Sequence, residues 1–315
     1  MSTSAPTPFA SHAEGPRALD WAQVDVFAER AFEGNQLAIF TDARGLSTQQ
    51  MQGLARETNL SETAFILPRS PELEREYGVR VRIFTVQEEL PFAGHPTLGT
   101  ASWLYWNHPV LRGAGQITLE LGVGPIPVRF VSPGEGEQGV YGTMRQNDPV
   151  FGDTHERRAI ATALNLSLDD LDPGMPIQTV STGMAFCIVP LRSLAVAGRL
   201  KIPPQSAQAY LDGSDAKFFH CVTRAEAASG ADWHARMQFY DGEDPATGSA
   251  SGCTIAYLVQ HGFAGSGVPV VLEQGVEMLR PSRIYVKATR SEDGVTDVFV
   301  GGRTIPAASG RFFMA

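Results

Sequence analysis

Two stretches of this 315-residue chain share one order of parts: an apolar strand, an acidic loop, and a helix opening on proline and small residues. In the first, residues 81–85 run through Glu88 and Glu89 into Gly94-His95-Pro96-Thr97-Leu98-Gly99-Thr100-Ala101. In the second, residues 235–240 run through Glu243 and Asp244 into Pro245-Ala246-Thr247-Gly248-Ser249-Ala250-Ser251-Gly252. Proline suits the first helical position because its missing N–H is not needed there, which makes His95 and Asp244 the expected N-caps. The free N–H groups and positive dipole end of such a start can seat a carboxylate or phosphate, and small residues let a ligand approach the backbone. Two starts in matched positions point to an anionic ligand between two halves of the chain. The same small residues would also let a helix pack tightly inside a sheet, and for either helix alone packing is the simpler account.

A second overlay lays Glu62-Thr63-Ala64-Phe65-Ile66-Leu67-Pro68 on Gly183-Met184-Ala185-Phe186-Cys187-Ile188-Val189-Pro190, with Phe65 on Phe186. Together the overlays suggest an internal duplication, against which stands the chance matching of short apolar strings. Frequent Gly (32) and Pro (21) punctuate short segments, so many turns and many strands are expected. Alternating and β-branched content predicts strands at 24–27, 37–40, 64–67, 79–84 and 117–121. Further strands are predicted at 185–189, 217–222, 235–240, 268–272, 283–288 and 295–300. Residues 47–58 predict a helix capped by Ser47, with Met51, Leu54 and Ala55 on its apolar face. The chain therefore reads as α+β, and its length favours two domains in contact over one core.

Charge and cysteine usage narrow the partners. Asp and Glu (34) outnumber Lys and Arg (25), giving a net charge of -9, which disfavours nucleic acid and leaves a small anionic substrate to be held by local donors. No run of about eighteen apolar residues predicts a membrane span. Cys187, Cys221 and Cys253 form no CxxC pair or zinc spacing, and the seven histidines form no close ligand pair, so neither a disulfide framework nor a metal is expected. Residues 1–19 read as a loose leader without a secretory pattern, which gives a cytoplasmic expectation.

Three side chains stand out near the helix starts. His95 and Asp244 flank the prolines, and Ser249 lies just inside the second helix, able to donate to a ligand or bond back to its own turn. Glu62, just before an apolar strand, would be a plausible acid/base if burial beside another carboxyl raised its proton affinity, although most glutamates so placed face solvent. Gly248-Ser249-Ala250-Ser251-Gly252 has the wrong spacing for a nucleophile elbow, and neither a dinucleotide fingerprint nor a phosphate loop is present.

Seven strings, in order, give the chain a resemblance. Gly34-Asn35, Asn59-Leu60-Ser61-Glu62-Thr63, Arg82-Ile83-Phe84-Thr85, Leu90-Pro91-Phe92-Ala93-Gly94-His95-Pro96, Gly99-Thr100-Ala101, Glu243-Asp244-Pro245-Ala246-Thr247-Gly248-Ser249-Ala250, and Gln274-Gly275-Val276-Glu277 with Arg280-Pro281-Ser282 resemble the phenazine-biosynthesis isomerase (PhzF-like) family. The resemblance implies a diaminopimelate epimerase-like fold of two pseudo-symmetric α/β domains, each a curved mixed sheet around a central helix. The domains are then expected at 20–135, completed by 303–315, and at 136–302, with the site between them.

The resemblance also implies roles. Glu62 would be the proton-shuttling acid/base, with His95 and Asp244 sharing protons and positioning a small carboxylate-bearing metabolite. Ser249, Gly94, Thr247 and Gly248 at the helix starts would hold it. It implies no cofactor, no metal and a homodimer, with isomerisation of a dihydro-hydroxyanthranilate as the reference reaction. An epimerase or racemase of an amino-acid-like compound, or a non-catalytic scaffold, are the alternatives. Sister epimerases and racemases place two thiols at the helix starts; here His95 and Asp244 stand there, Cys253 falls within the second helix and Cys187 in a strand. Two departures are visible: Gln36 stands where the family usually has Pro, and Leu279 where it usually has Gly.

Overall fold

The computed structural model describes residues 17–239 and 242–314. Residues 1–16 of the expected leader lie outside them, and 17–19, counted with the leader, instead open a strand. The first elements are β1 (Arg17–Val26), β2 (Asn35–Phe40), α1 (Thr48–Thr58), β3 (Thr63–Ile66), α2 (Pro71–Tyr77), β4 (Val79–Phe84) and β5 (Glu89–Leu90). Then come α3 (Gly94–Asn107), β6 (Gln116–Leu121), β7 (Gly124–Val131), β8 (Val140–Arg145), β9 (Val150–Thr154) and α4 (Arg157–Ala163). Next are β10 (Gln178–Ser181), β11 (Ala185–Pro190), α5 (Leu194–Arg199), α6 (Pro204–Leu211), β12 (Phe218–Arg224), β13 (Trp233–Arg236), β14 (Gln238–Phe239) and β15 (Gly242–Glu243). The chain ends with α7 (Gly248–Gln260), β16 (Val270–Gln274), β17 (Ser282–Ser291) and β18 (Gly294–Met314).

Strand pairing wraps one continuous sheet around two helices. The order β1–β2–β3–β4–β6–β7–β8–β18 closes on itself because β18 also pairs with β1, and these strands enclose α3. From β18 the sheet continues through β17, β16, β13, β12, β11, β10 and β9, and α7 packs on β17, β18, β10 and β11. From β1 the neighbours pair antiparallel (β1–β2), parallel (β2–β3), antiparallel (β3–β4), parallel (β4–β6) and antiparallel (β6–β7). The same alternation runs from β10: β10–β11 antiparallel, β11–β12 parallel, β12–β13 antiparallel, β13–β16 parallel, β16–β17 antiparallel. That order matches β4 and α3 with β13 and α7, as the first sequence overlay has it. It matches β3 with β12, not with β11, so the overlay of Phe65 on Phe186 joins strands of different place.

Local sequence explains the best-defined elements. Ser47 Oγ accepts from Gln50 N, and Gln50 Oε1 accepts from Ser47 N, a reciprocal cap that starts α1, while Met51, Leu54 and Ala55 are buried. Helices α3 and α7 are apolar or small nearly all round, the composition of a buried helix. At Gly99 a Cβ would come within 2.7 Å of both Leu37 and Val26, so the sheet approaches α3 as closely as glycine permits. Leu98, Ala101 and Leu104 of α3 and Ala250, Cys253, Ile255 and Leu258 of α7 share one apolar core.

Beyond the early start of β1, two more of the expected strands depart from expectation. The strand expected at 235–240 is split: β13 ends at Arg236, and Gln238–Phe239 turns away to pair with β15, with Tyr240 outside the described residues. The strand expected at 295–300 runs on to Met314, because β1 offers its second half, Thr304 to Met314, a partner. Pro306 is accommodated opposite Val24, where the register shifts. Among the described residues no helix is long and apolar enough to cross a membrane.

Candidate active site

The starts of α3 and α7 meet. A Cβ on Gly94 would lie 3.4 Å from Ser249 N and 3.6 Å from Gly248 Cα, so the two first turns abut. Both starts lie later or earlier in the chain than the prolines suggest. Helix α3 is capped at Ala93, which puts His95 and Pro96 inside its first turn, where an N–H is still not required. Helix α7 is capped at Thr247, three residues after Asp244, so Asp244 is not its N-cap and Pro245 not its first residue. The carbonyls that would begin a helix at Pro245 are taken by side chains from elsewhere. Gln274 Nε2 donates to Asp244 O (2.7 Å), Ser282 Oγ to Pro245 O (2.8 Å) and Asn35 Nδ2 to Ala246 O (3.0 Å).

Around this junction the structure gathers three of the expected residues. Glu62 follows the left-handed Asn59 that ends α1, and the loop is closed by a 2.7 Å hydrogen bond between the Thr58 and Thr63 hydroxyls. Glu62 Oε2 lies 3.7 Å from His95 Nε2, with the Glu62 side chain 18% exposed and that of His95 5% exposed. Asp244 accepts from Asn35 Nδ2 at Oδ1 (2.7 Å) and from the Thr247 hydroxyl at Oδ2 (2.6 Å). Ser249 stays half-buried beside Gly94.

Burial moves the three proton affinities apart. Glu62 is pushed up to about 8, first by burial and then by the negative charge of Asp244. Asp244 rises to about 6: burial outweighs the hydrogen bonds from Thr247 and Asn35, and the Glu243 charge adds to the rise. His95 is driven down to about 3 by burial, against a hydrogen bond with the Gln36 backbone. At neutral pH the two carboxyls therefore share a proton, favoured on the more strongly shifted Glu62, beside a neutral His95. A carboxylic acid and a carboxylate held at one place are the groups a proton transfer needs.

Residues given no role from sequence hold this loop. Asn35, 2% exposed at the start of β2, reaches Asp244, Ala246 and, at 3.3 Å, His95 Nδ1. Gln274 donates to Asp244 O and to the Thr247 hydroxyl. Arg280 joins the two ends of the chain through Asp25 Oδ1 (2.8 Å), Gly34 O (2.9 Å) and Glu33 O (2.6 Å). Each belongs to a string quoted above, and the available signal was a polar side chain following glycine for Asn35 and ending an apolar strand for Gln274, with none for Arg280. Gly34 has φ +71° and its Cβ would lie 2.3 Å from Val26 O, so only glycine fits this turn.

The cysteines are elsewhere. Cys187 lies in β11 and Cys221 in β12, and Cys253, in α7, contacts Thr182 Oγ1 (3.5 Å) and Met184 O (3.6 Å). All three are buried, and burial raises the Cys253 thiol to about 11.

Comparison with known proteins supplies the family. The sequence profile of the phenazine biosynthesis-like protein family (PhzC-PhzF) matches residues 24–310. The chain belongs to this family. Among curated relatives, the trans-2,3-dihydro-3-hydroxyanthranilate isomerase of Pseudomonas aeruginosa is 32% identical over 92% of this chain and 98% of its own. An uncharacterized isomerase of Mesorhizobium japonicum is 31% identical over 92% of this chain and 97% of its own. The crystal structure of a Bacillus anthracis phenazine biosynthesis protein of the PhzF family superposes with a TM-score of 0.84 at 25% identity, covering 95% of this chain and all of that one. A hydroxyproline epimerase from Agrobacterium vitis shares the fold alone, with a TM-score of 0.59 at 11% identity over 94% and 93% of the two chains. The PhzF-family chain is thus an isomerase with the α+β fold that these enzymes share.

Proposed function

We propose that this PhzF-family isomerase moves a proton within a small carboxylate-bearing metabolite without a cofactor. Glu62 is the acid/base, Asp244 and His95 position the substrate and share protons with Glu62, and Ser249 with Gly94 and Gly248 offers donors to the substrate carboxylate, whereas Thr247, whose hydroxyl donates to Asp244 and whose N–H donates to Gln274, lines the site by holding Asp244. The reading rests above all on the gathering of two carboxyls, Glu62 and Asp244, around the buried His95, with burial and mutual repulsion raising the proton affinity of the pair so that one carboxyl can be acid while the other is base. The first-turn N–H groups of α3 and α7 carry the positive ends of two helices toward the same junction, which favours an anion there.

The most specific substrate this reading supports is trans-2,3-dihydro-3-hydroxyanthranilate, a carboxylate on which relatives about one-third identical are named to act. We further read the strands around α3 and those beside α7 as two similar domains, 20–135 completed by 303–315 and 136–302, in a cytoplasmic homodimer. Incubating the purified protein with that compound tests the assignment: wild type should consume it, and Glu62→Gln should do so at least about a hundredfold more slowly. Failure of the wild type removes the substrate, and full activity of Glu62→Gln removes Glu62 as the acid/base.

A further inference from the structure

We infer that Asn35 is the positioning residue of the Asp244 carboxylate, holding it in one orientation relative to Glu62 and His95. The inference rests on the reading of Glu62 and Asp244 as the proton-transfer pair. A primary amide has two hydrogens to donate, and Asn35 Nδ2 faces two groups that can only accept, Asp244 Oδ1 at 2.7 Å and Ala246 O at 3.0 Å. The opposite amide orientation would set its oxygen against a carboxylate and a carbonyl, so the two acceptors determine which end is nitrogen. The third neighbour of the same nitrogen is His95 Nδ1, at 3.3 Å. One buried side chain at the start of β2 therefore touches a residue of α3 and a loop 209 residues away in sequence.

The consequence for Asp244 follows from counting donors. Thr247 supplies one to Oδ2 and Asn35 one to Oδ1, so each oxygen keeps a lone pair for a substrate. Without Asn35, Oδ1 loses its donor and the carboxylate can turn about the Thr247 bond. The charged form of Asp244 would then be less favoured. The other titratable groups at this place are Glu62 from the loop before β3, His95 from α3, and Glu243 of β15, which is paired with Arg236 of β13 at 2.5 Å.

Carbon-13 carboxyl NMR of aspartate-labelled protein, titrated from pH 4 to 9, tests the role without a substrate. In Asn35→Ala and Asn35→Asp the Asp244 midpoint should rise by about one pH unit or more, as expected for losing a hydrogen bond to the charged form. Thermal melts identify any variant that fails to fold. In the wild type, which needs no substitution, the Asn35 side-chain NH2 resonance should shift with the Asp244 midpoint, and that step should vanish in Asp244→Asn. An unmoved midpoint in a folded variant, or an Asn35 amide that ignores the titration, overturns the inference. If the wild type turns over trans-2,3-dihydro-3-hydroxyanthranilate, kcat of a folded Asn35 variant should fall at least about tenfold with a smaller change in KM. Failure of the wild type in that assay counts against the proposed substrate, and the titration still decides on Asn35.

Discussion

Glu62 Oε2 stands 3.7 Å from His95 Nε2, a buried ring nitrogen with no hydrogen-bond partner among the described residues. An ion pair at this distance would need an ionised glutamate and a protonated histidine. Burial drives the two the other way, Glu62 up to about 8 and His95 down to about 3, so both are neutral at pH 7. The carboxyl proton is thereby favoured on Glu62, as the proposed proton transfer requires.

The pH dependence of turnover should report the paired carboxyls. Between about pH 6 and 8 Asp244 and Glu62 together hold one proton, so kcat/KM should rise near 6 and fall near 8. Asp244→Asn removes a charge that raises Glu62, so the alkaline limb should move to lower pH while the overall rate drops. An alkaline limb that stays near 8 in this variant would separate the two groups.

Stability should depend on Glu62 with a definite sign. Its folded-state value, about 8, lies above the ordinary 4.5, so the folded state holds a proton that the unfolded chain has released between those values. Relative stability is full below about 4.5, declines as pH rises, and is lowest above about 8. Glu62→Gln, which cannot ionise, should match the wild type near pH 4 and be the more stable by on the order of 1 to 3 kcal/mol near pH 9. Melting curves at the two pH values check this, and equal melting temperatures at pH 9 would contradict it.

Leu279 carries a backbone strain that glycine would relieve. It has φ +58° and is 87% exposed. The left-handed conformation costs a non-glycine residue about 1 to 2 kcal/mol, partly offset by the extra freedom glycine has when unfolded. Leu279→Gly should raise Tm by roughly 1 to 3 °C, whereas Leu279→Ala, which keeps the strain, should leave Tm unchanged. A differential melt of the three proteins measures both.

Replacing Cys187, Cys221 and Cys253 together by alanine should leave kcat within a few-fold of wild type, because none lies at a helix start and the buried Cys253 thiol is held protonated. Stability should fall by about 0.5 to 3 kcal/mol for each site emptied in the core. A variant with wild-type Tm and no turnover would instead point to thiol chemistry.

How much of this was legible in the chain depends on how far each interaction reaches. Helix α1 and its Ser47 cap were readable because the capping partners are three residues apart, and β4 because its alternation is its own. The matched helix starts suggested that His95 and Asp244 share a site, but Glu62 was joined to them only by resemblance, since nothing local brings residues 62, 95 and 244 together. The starts of α3 and α7 were misplaced because local preference put the prolines first. Tertiary structure instead drew the 244–246 carbonyls to Asn35, Gln274 and Ser282. The length of β18 depended likewise on β1, nearly three hundred residues earlier, whose open edge overrides the turn-like Pro306 and Gly310. Sequence by itself determined the inventory of this site, the glutamate, histidine, aspartate and small-residue helix starts in their order. Only the fold decided their proton affinities, because burial and the charge of a distant neighbour act through space and leave no trace in spacing.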